Sequence, residues 1–220
     1  IDLIIVATST PDHPMPPTAC RVQDALGATQ AGAFDLNAAC SGFVYALAAG
    51  HQAIASGEHG QVLVVGADTL TSRLDWTDRG TAVLFGDGAG AVLLRAADGQ
   101  AGVMATLLGA DGSGGDVLMI PAGGSAMPLT HEALVQGLHY LRMDGRQVYR
   151  FATTALADAA EQVSRKAGWS LDEIDRVIPH QANVRIIAAA ARRLGLPMER
   201  FVINIEEYGN TSAASVPIAL

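Results

Sequence analysis

Short apolar runs alternate with stretches of helical periodicity along this chain. Runs of this length are typical of buried strands, and apolar residues spaced three and four apart are typical of amphipathic helices. The predicted strands comprise residues 3–7, 33–37, 61–65, 81–85, 91–94, 174–178 and 201–205. The predicted helices comprise residues 18–26, 41–56, 148–163, 184–194 and 211 onward. Such alternation predicts an α/β fold of parallel βαβ units, with helices on both faces of a sheet.

Two glycine-rich segments divide this pattern. Residues 86–90 read GDGAG and lie between two predicted strands with no helix after them. That context favours a tight turn near a functional centre over a dinucleotide-binding loop. Residues 109–128 have little periodicity and predict a surface connection. We therefore expect an N-terminal half over 1–108 and a C-terminal half over 109–220, each repeating a strand, a special residue and a helix.

Composition and charge narrow the function. Half of the 220 residues are hydrophobic and 16% are charged, which excludes a disordered chain. The net charge of −8 disfavours binding to nucleic acid or to an anionic membrane surface. With two cysteines and neither a secretory segment nor a membrane span apparent, we expect a reducing, cytoplasmic setting. The chain begins and stops inside apolar patterns, so we expect the middle of a longer protein.

Three junctions between a predicted strand and a predicted helix carry Cys40, His180 and Asn210. Ligands of open α/β sheets bind beyond the carboxyl ends of the strands, so these side chains could converge on one pocket. The helix dipole at Cys40 would favour a thiolate, and its backbone N–H could stabilise an oxyanion. Together with two hydrogen-bond donors, this set predicts acyl transfer through a thioester.

Each of these residues also has an ordinary structural interpretation. A cysteine is commonly an inert core residue, which is the better interpretation of Cys20 within its helix. His180 could be a structural histidine, and Asn210 could cap a helix. The shared position at three junctions favours the functional interpretation for Cys40, His180 and Asn210. No histidine spacing in the sequence is typical of a metal site.

Five local motifs appear in order along almost the whole chain. They are NAACSGF at 37–43, DRGT at 78–81, FGDGAGA at 85–91, PHQAN at 179–183 and YGNTSAAS at 208–215. Together they resemble β-ketoacyl-acyl-carrier-protein synthase III, the condensing enzyme that starts fatty acid synthesis. The resemblance implies a thiolase-like fold, with duplicated βαβ halves in a layered α-β-α-β-α arrangement. It also implies that an N-terminal strand and helix and a C-terminal glycine-rich loop lie outside this chain.

The resemblance implies roles for particular residues. Cys40, His180 and Asn210 match the catalytic triad, Arg79 matches a residue packed on the adenine end of coenzyme A, and Asn183 one near the pantetheine arm. The region that meets the carrier protein matches Gln181, Ala182, Asn183, Val184 and Arg185. In an acidic chain, a basic face of Arg185, Arg192 and Arg193 is a plausible dock for an acidic carrier, although such faces are usually only solvated.

The resemblance further implies a homodimer whose substrates are acyl-coenzyme A and malonyl-acyl carrier protein. The expected product is 3-oxoacyl-acyl carrier protein, made by decarboxylative condensation without a metal or a separate cofactor. Three alternatives stay open. They are a relative from secondary metabolism with another starter or nucleophile, a cysteine hydrolase, and a non-catalytic homologue that binds carrier protein.

Overall fold

A four-stranded mixed sheet forms from the first half of the chain in the computed structural model, which describes residues 1–99 and 101–220. Its strands are β1 (Leu3–Ala7), β2 (Gly32–Leu36), β3 (Gln61–Thr69) and β4 (Asp87–Arg95), in the spatial order β2-β1-β3-β4. The central strand β1 pairs in parallel with β2 and with β3, and β4 runs antiparallel to β3. The carboxyl ends of β1, β2 and β3 therefore meet at one edge of the sheet.

Helices account for most of the remaining regular structure. They are α1 (Thr18–Ala25), α2 (Gly42–Ala55), α3 (His131–Val135), α4 (Gly145–Ala167), α5 (Val184–Leu194), α6 (Ile205–Tyr208) and α7 (Ser215–Ala219). Single 3₁₀ turns at Ala39–Ser41 and Ser212–Ala214 lead into α2 and α7. A short antiparallel pair, β5 (Leu118–Met119) and β6 (Arg142–Met143), lies in the second half.

Helices pack on both faces of the sheet, as predicted. Phe43 and Ala46 of α2 cover one face, together with Ala213 from the far end of the chain. Ala19 and Val22 of α1 cover the other. A separate core forms where α4 packs against α5, around Ile187 and its neighbours Ala157, Ala190, Ala191, Leu194 and Phe201. The 3₁₀ turn Ser212–Ala214 packs against β3, and α7 packs mainly against β4.

The predicted strand at 81–85 and the predicted turn at 86–90 are wrong. Residues 81–84 form turns, and residues 87–90 of the glycine-rich segment are the first part of β4. A Cβ at Gly90 would lie 2.9 Å from Cβ of Pro217, and one at Gly88 would lie 2.8 Å from Cδ1 of Ile218. The glycines therefore allow α7 to pack directly on the strand backbone, whereas the sequence pattern suggested a break.

The two predicted strands at 174–178 and 201–205 reduce to one parallel bridge. Val177 N–H donates to the Arg200 carbonyl at 2.8 Å, and Val202 N–H donates to the Val177 carbonyl at 2.9 Å. Within the described residues no further strand extends this bridge, so the apolar runs do not form a ladder. The segment 109–128 is largely irregular and exposed, as expected. The duplication of the two halves stays a prediction.

Candidate active site

Cys40 lies on a strained turn between β2 and α2. The backbone of Ala39 has a φ of 47°, which is unusual for a residue with a side chain, and Ala39 N–H donates to Asn37 Oδ1 at 3.1 Å. α2 begins two residues later at Gly42, where a Cβ would lie 3.0 Å from the Cβ of Ala7. This close approach holds Cys40 at the carboxyl ends of the strands and at the positive end of the α2 dipole.

A second strained turn packs against the first. Ser212 has a φ of 50°, and the 3₁₀ turn that it begins contacts the turn carrying Cys40. Asn210 lies just before it and is held from both sides of its backbone, because its N–H donates to the Leu84 carbonyl at 2.8 Å and its carbonyl accepts from Gly86 N–H at 3.0 Å. Its Oδ1 accepts from Ser212 N–H at 3.0 Å. The side-chain NH₂ of the buried Asn210 is thereby left to serve another acceptor.

His180 reaches the same place from the segment before α5. Its Nδ1 lies 2.5 Å from Oγ of Ser215, while its Nε2 is buried and makes no hydrogen bond within residues 1–99 and 101–220. The next residue, Gln181, is fully buried and braces the segment: Nε2 donates to the Pro179 and Val202 carbonyls, each at 3.0 Å. This bracing fixes where the imidazole lies.

The pKa of the Cys40 thiol reflects these neighbours. Burial raises it, but the charge of His180 and a hydrogen bond with Ser212 lower it by more, so that the net pKa lies below that of an ordinary thiol. The negative charge of Asp68 makes a smaller contribution in the raising direction. A thiolate is the nucleophilic form of cysteine, so this environment suits nucleophilic attack.

Asp68 was not identified from the sequence. It is 2% exposed and lies in β3. Its Oδ1 accepts from the backbone or hydroxyl groups of Thr8, Ser9 and Thr10. Its Oδ2 accepts from Ala213 N–H at 3.1 Å. The carboxylate therefore ties the carboxyl ends of β1 and β3 to the turn that follows Asn210, a contact that only the fold creates.

The residues predicted to bind coenzyme A or a carrier protein are partly exposed and partly buried. Arg79 is exposed on a turn, and Val184 and Arg185 are exposed at the start of α5. Half-buried Asn183 caps α5, with its Oδ1 accepting from Arg185 N–H at 2.8 Å. The side chain of Gln181 is fully buried, so within the predicted carrier-protein region it holds the segment in place. Half-buried Ala182 completes this region.

The remaining candidate chemistry lies elsewhere or is lacking. Cys20 lies in α1 with its Sγ 3.8 Å from the Ala33 carbonyl, so it is neither disulfide-bonded nor one of the residues around Cys40. In the part of the chain that the structure describes, no three His, Cys, Asp or Glu side chains come together as metal ligands. No described helix combines the length and the hydropathy needed to span a bilayer.

Two family models match this chain. One is described as 3-oxoacyl-acyl-carrier-protein synthase III and matches residues 34–112, and the other as the C-terminal part of the same enzyme and matches residues 164–220. Among curated proteins, the beta-ketoacyl-acyl-carrier-protein synthase III of Roseiflexus sp. is 52% identical over all 220 residues. The chain spans 67% of the length of that relative.

Solved structures give the same result for the fold. The 3-oxoacyl-(acyl carrier protein) synthase III of Pseudomonas aeruginosa is 46% identical with a TM-score of 0.90, over 99% of this chain and 66% of its own. The beta-ketoacyl-acyl-carrier-protein synthase III of Thermus thermophilus is 43% identical with a TM-score of 0.90, over 100% of this chain and 67% of its own. The thiolase-like fold predicted from the sequence is confirmed.

Proposed function

This chain belongs to the 3-oxoacyl-acyl-carrier-protein synthase III family, and we propose that its site condenses an acyl-coenzyme A starter with malonyl-acyl carrier protein. The product is 3-oxoacyl-acyl carrier protein, and the reaction is the initiating step of fatty acid synthesis. The observation that carries the proposal is the Cys40 thiol of lowered pKa, placed beside a histidine whose Nε2 has no partner in the described chain. Cys40, His180 and Asn210 form the proposed catalytic set.

The first half-reaction uses Cys40. The Sγ thiolate attacks the carbonyl carbon of acyl-coenzyme A, the thioester C–S bond breaks, and the coenzyme leaves as a thiolate that takes up a proton. The α2 dipole and the influence of His180 and Ser212 favour the thiolate from the start. Cys40 therefore becomes an acyl thioester without any redox change.

The second half-reaction uses His180 and Asn210. Malonyl-acyl carrier protein loses CO₂, and the electron pair of the broken C–C bond becomes an enolate whose oxygen needs donors. The free NH₂ of Asn210 and the unpartnered Nε2 of His180 supply such donors. The enolate carbon attacks acyl-Cys40, and the Cys40 thiolate is released. Thioester activation and loss of CO₂ drive these steps, so the proposal includes no resident metal or redox cofactor.

Surface residues supply the proposed recognition. Exposed Arg79 stacks on the adenine end of coenzyme A, and Asn183 lies near the pantetheine arm while it caps α5. Ala182, Val184 and Arg185 meet the carrier protein. Arg193 already pairs with Asp158, whereas no ion pair among the described residues involves Arg185 or Arg192, so their charges are available to an acidic partner.

We further propose a homodimer in the cytoplasm. Within the described residues β2 pairs with β1 alone, and Phe34 of β2 is 41% exposed. An edge strand with an exposed aromatic side chain is a surface that association would cover. Two unpaired cysteines suit a reducing compartment.

Intact-mass analysis of the full-length protein tests the function. After exposure to a panel of acyl-coenzyme A esters, the protein gains one acyl group, which malonyl-acyl carrier protein then removes as 3-oxoacyl product. Cys40→Ala abolishes the adduct, and Cys20→Ala, the matched control, retains it. An adduct that persists in Cys40→Ala would refute the assignment. Loss of the acyl group to water rather than to malonyl-carrier protein would identify a cysteine hydrolase, and the mass of the adduct identifies the starter.

A further inference from the structure

Ser215 is the partner of the His180 ring. Its Oγ lies 2.5 Å from Nδ1 of His180 and also accepts a hydrogen bond from the backbone N–H of Gln181 at 3.3 Å. Ser215 is 2% exposed, so water does not compete for its hydroxyl group. The contact lies on the side of the imidazole away from the unpartnered Nε2.

The position of each proton follows from these two contacts. The Gln181 N–H can only donate, so it occupies a lone pair of Ser215 Oγ and cannot receive the hydroxyl proton. Of the two hydrogen-bond partners of Ser215 Oγ, only Nδ1 of His180 can accept. If Nδ1 carried a proton instead, both partners of Ser215 Oγ would be donors. The buried hydroxyl proton would then have no acceptor, which is costly. The hydroxyl therefore donates to Nδ1.

We propose that Ser215 is a positioning residue that fixes the Nε2–H tautomer of His180. A neutral imidazole carries one N–H, so an Nδ1 that accepts from Ser215 places that N–H on Nε2. The inference rests on the proposed function, in which His180 faces the enolate oxygen. Ser215 is then the residue that makes Nε2 of His180 a hydrogen-bond donor to that oxygen.

The assignment separates two possible roles of His180. A general base for Cys40 would need an unprotonated Nε2, whereas an oxyanion donor needs Nε2–H. Ser215 favours the second. The lowered pKa of Cys40 depends on the charge of His180 and not on its tautomer. The tautomer matters in the second half-reaction, in which the neutral ring presents Nε2–H to the enolate oxygen.

Nitrogen-15 NMR of the full-length protein, labelled at histidine, tests the proposal without any assay of activity. The ring signals of His180 are assigned by their absence from the spectrum of His180→Gln. In the wild-type protein they show a protonated Nε2 and an unprotonated, hydrogen-bonded Nδ1. A wild-type His180 with its proton on Nδ1 would overturn the proposal. This measurement stays informative even if the protein forms no acyl adduct, so failure of the proposed function is distinguishable from failure of this inference.

Variants of Ser215 test whether its hydroxyl sets the tautomer. In Ser215→Ala the signals shift toward an Nδ1–H population, while Ser215→Thr, which keeps a hydroxyl, retains Nε2–H. Release of CO₂ from malonyl-acyl carrier protein falls about tenfold in Ser215→Ala, the scale of one lost hydrogen bond. Acylation of Cys40 changes much less.

The matched control for these variants is Ser164→Ala. Ser164 is also buried, and its Oγ donates to the Ala160 carbonyl within α4 at 2.8 Å. The Ser164→Ala variant leaves both the His180 spectrum and the release of CO₂ unchanged. If Ser215→Ala keeps the wild-type tautomer, then the hydroxyl of Ser215 does not select it and the proposal is wrong.

Discussion

Opposing influences meet at the sulfur of Cys40. Burial and the nearby Asp68 charge favour the neutral thiol, while His180 and Ser212 favour the thiolate and prevail. The strained backbone of Ala39 and Ser212 keeps the two turns in contact, so the pKa of Cys40 depends on this local geometry. A cysteine in such surroundings is reactive at a lower pH than a free thiol.

The pH dependence of alkylation checks this balance. The rate at which iodoacetamide modifies Cys40 rises with pH as the thiolate forms, and because the pKa is lowered, the midpoint falls below that of an ordinary thiol. His180→Ala removes the largest lowering influence and moves the midpoint upward. Cys20→Ala is the control and leaves the profile unchanged. A midpoint unaffected by His180→Ala would show that His180 does not act on the thiol.

Residue-level prediction from the sequence succeeded only in part. Cys40, His180 and Asn210 could be found because each follows a predicted strand within a recognisable motif, and the structure brings their segments together. Their catalytic roles stay predictions. The roles of Asp68 and Ser215 could not be found: an aspartate in a strand has no local signature, and the motif at 208–215 that contains Ser215 does not show which side chain it contacts. Their partners lie far away in sequence, 145 residues for Asp68 and Ala213 and 35 for Ser215 and His180.

At the scale of elements, local patterns predicted strands best where each strand pairs with neighbours in the four-stranded sheet. β1, β2 and α2 lie close to their predicted bounds because each has an apolar face with a partner. The glycine-rich start of β4 was misread, since glycine usually signals a turn, and here it accommodates α7. The runs at 174–178 and 201–205 lack a further described strand to pair with, which the pattern itself cannot reveal.

Gly66 offers a test of this close packing. A Cβ at Gly66 would collide with the Ala213 carbonyl oxygen and lie 3.3 Å from Cγ of Pro217. Gly66→Ala therefore lowers the free energy of unfolding by about 1–3 kcal/mol, the usual cost of overpacking. It also displaces the turn after Ser212 and slows alkylation of Cys40.

Urea denaturation, followed by circular dichroism, measures that change. Gly32→Ala is the matched control, since Gly32 is also in a strand and its added Cβ would lie at ordinary distances, 3.4 Å from Cδ1 of Leu3 and 4.0 Å from the Asp2 carbonyl oxygen. Its denaturation midpoint stays close to wild type. If Gly66→Ala were as stable as Gly32→Ala, the turn would be able to move away, and the packing described between β3 and Ala213 would be loose.

At the scale of the whole molecule, charge is distributed unevenly. The chain carries a net charge of −8, yet the exposed start and last turn of α5 present Arg185 and Arg192. An acidic carrier protein would be repelled by most of the surface and attracted to this helix. The net negative charge of the chain therefore helps to orient an approaching acidic carrier protein, in addition to its effect on solubility.

Charge reversal on α5 checks carrier docking. Arg185→Glu and Arg192→Glu each raise KM for malonyl-acyl carrier protein by about two- to fivefold, the range of an exposed ion pair. The effect fades near 1 M salt, where the Debye length is about 3 Å. Acylation by small acyl-coenzyme A esters stays unchanged. Arg21→Glu on α1 is the control, and equal losses in both half-reactions would instead indicate damage to the fold.

The contacts of the Asp68 carboxylate also bear on the order in which parts of the protein fold during synthesis. The carboxylate joins the strand ends of the first half to Ala213, 145 residues later, so the turn that activates Cys40 can dock only after that whole stretch has been synthesised. Contacts of such long range form late, because a large loop must close first. A chain still growing on the ribosome therefore carries the Cys40 thiol without Ser212 or His180 beside it. Until those residues have been synthesised, the neighbours that lower the pKa of Cys40 are missing, and the thiol lacks the activation that they give it.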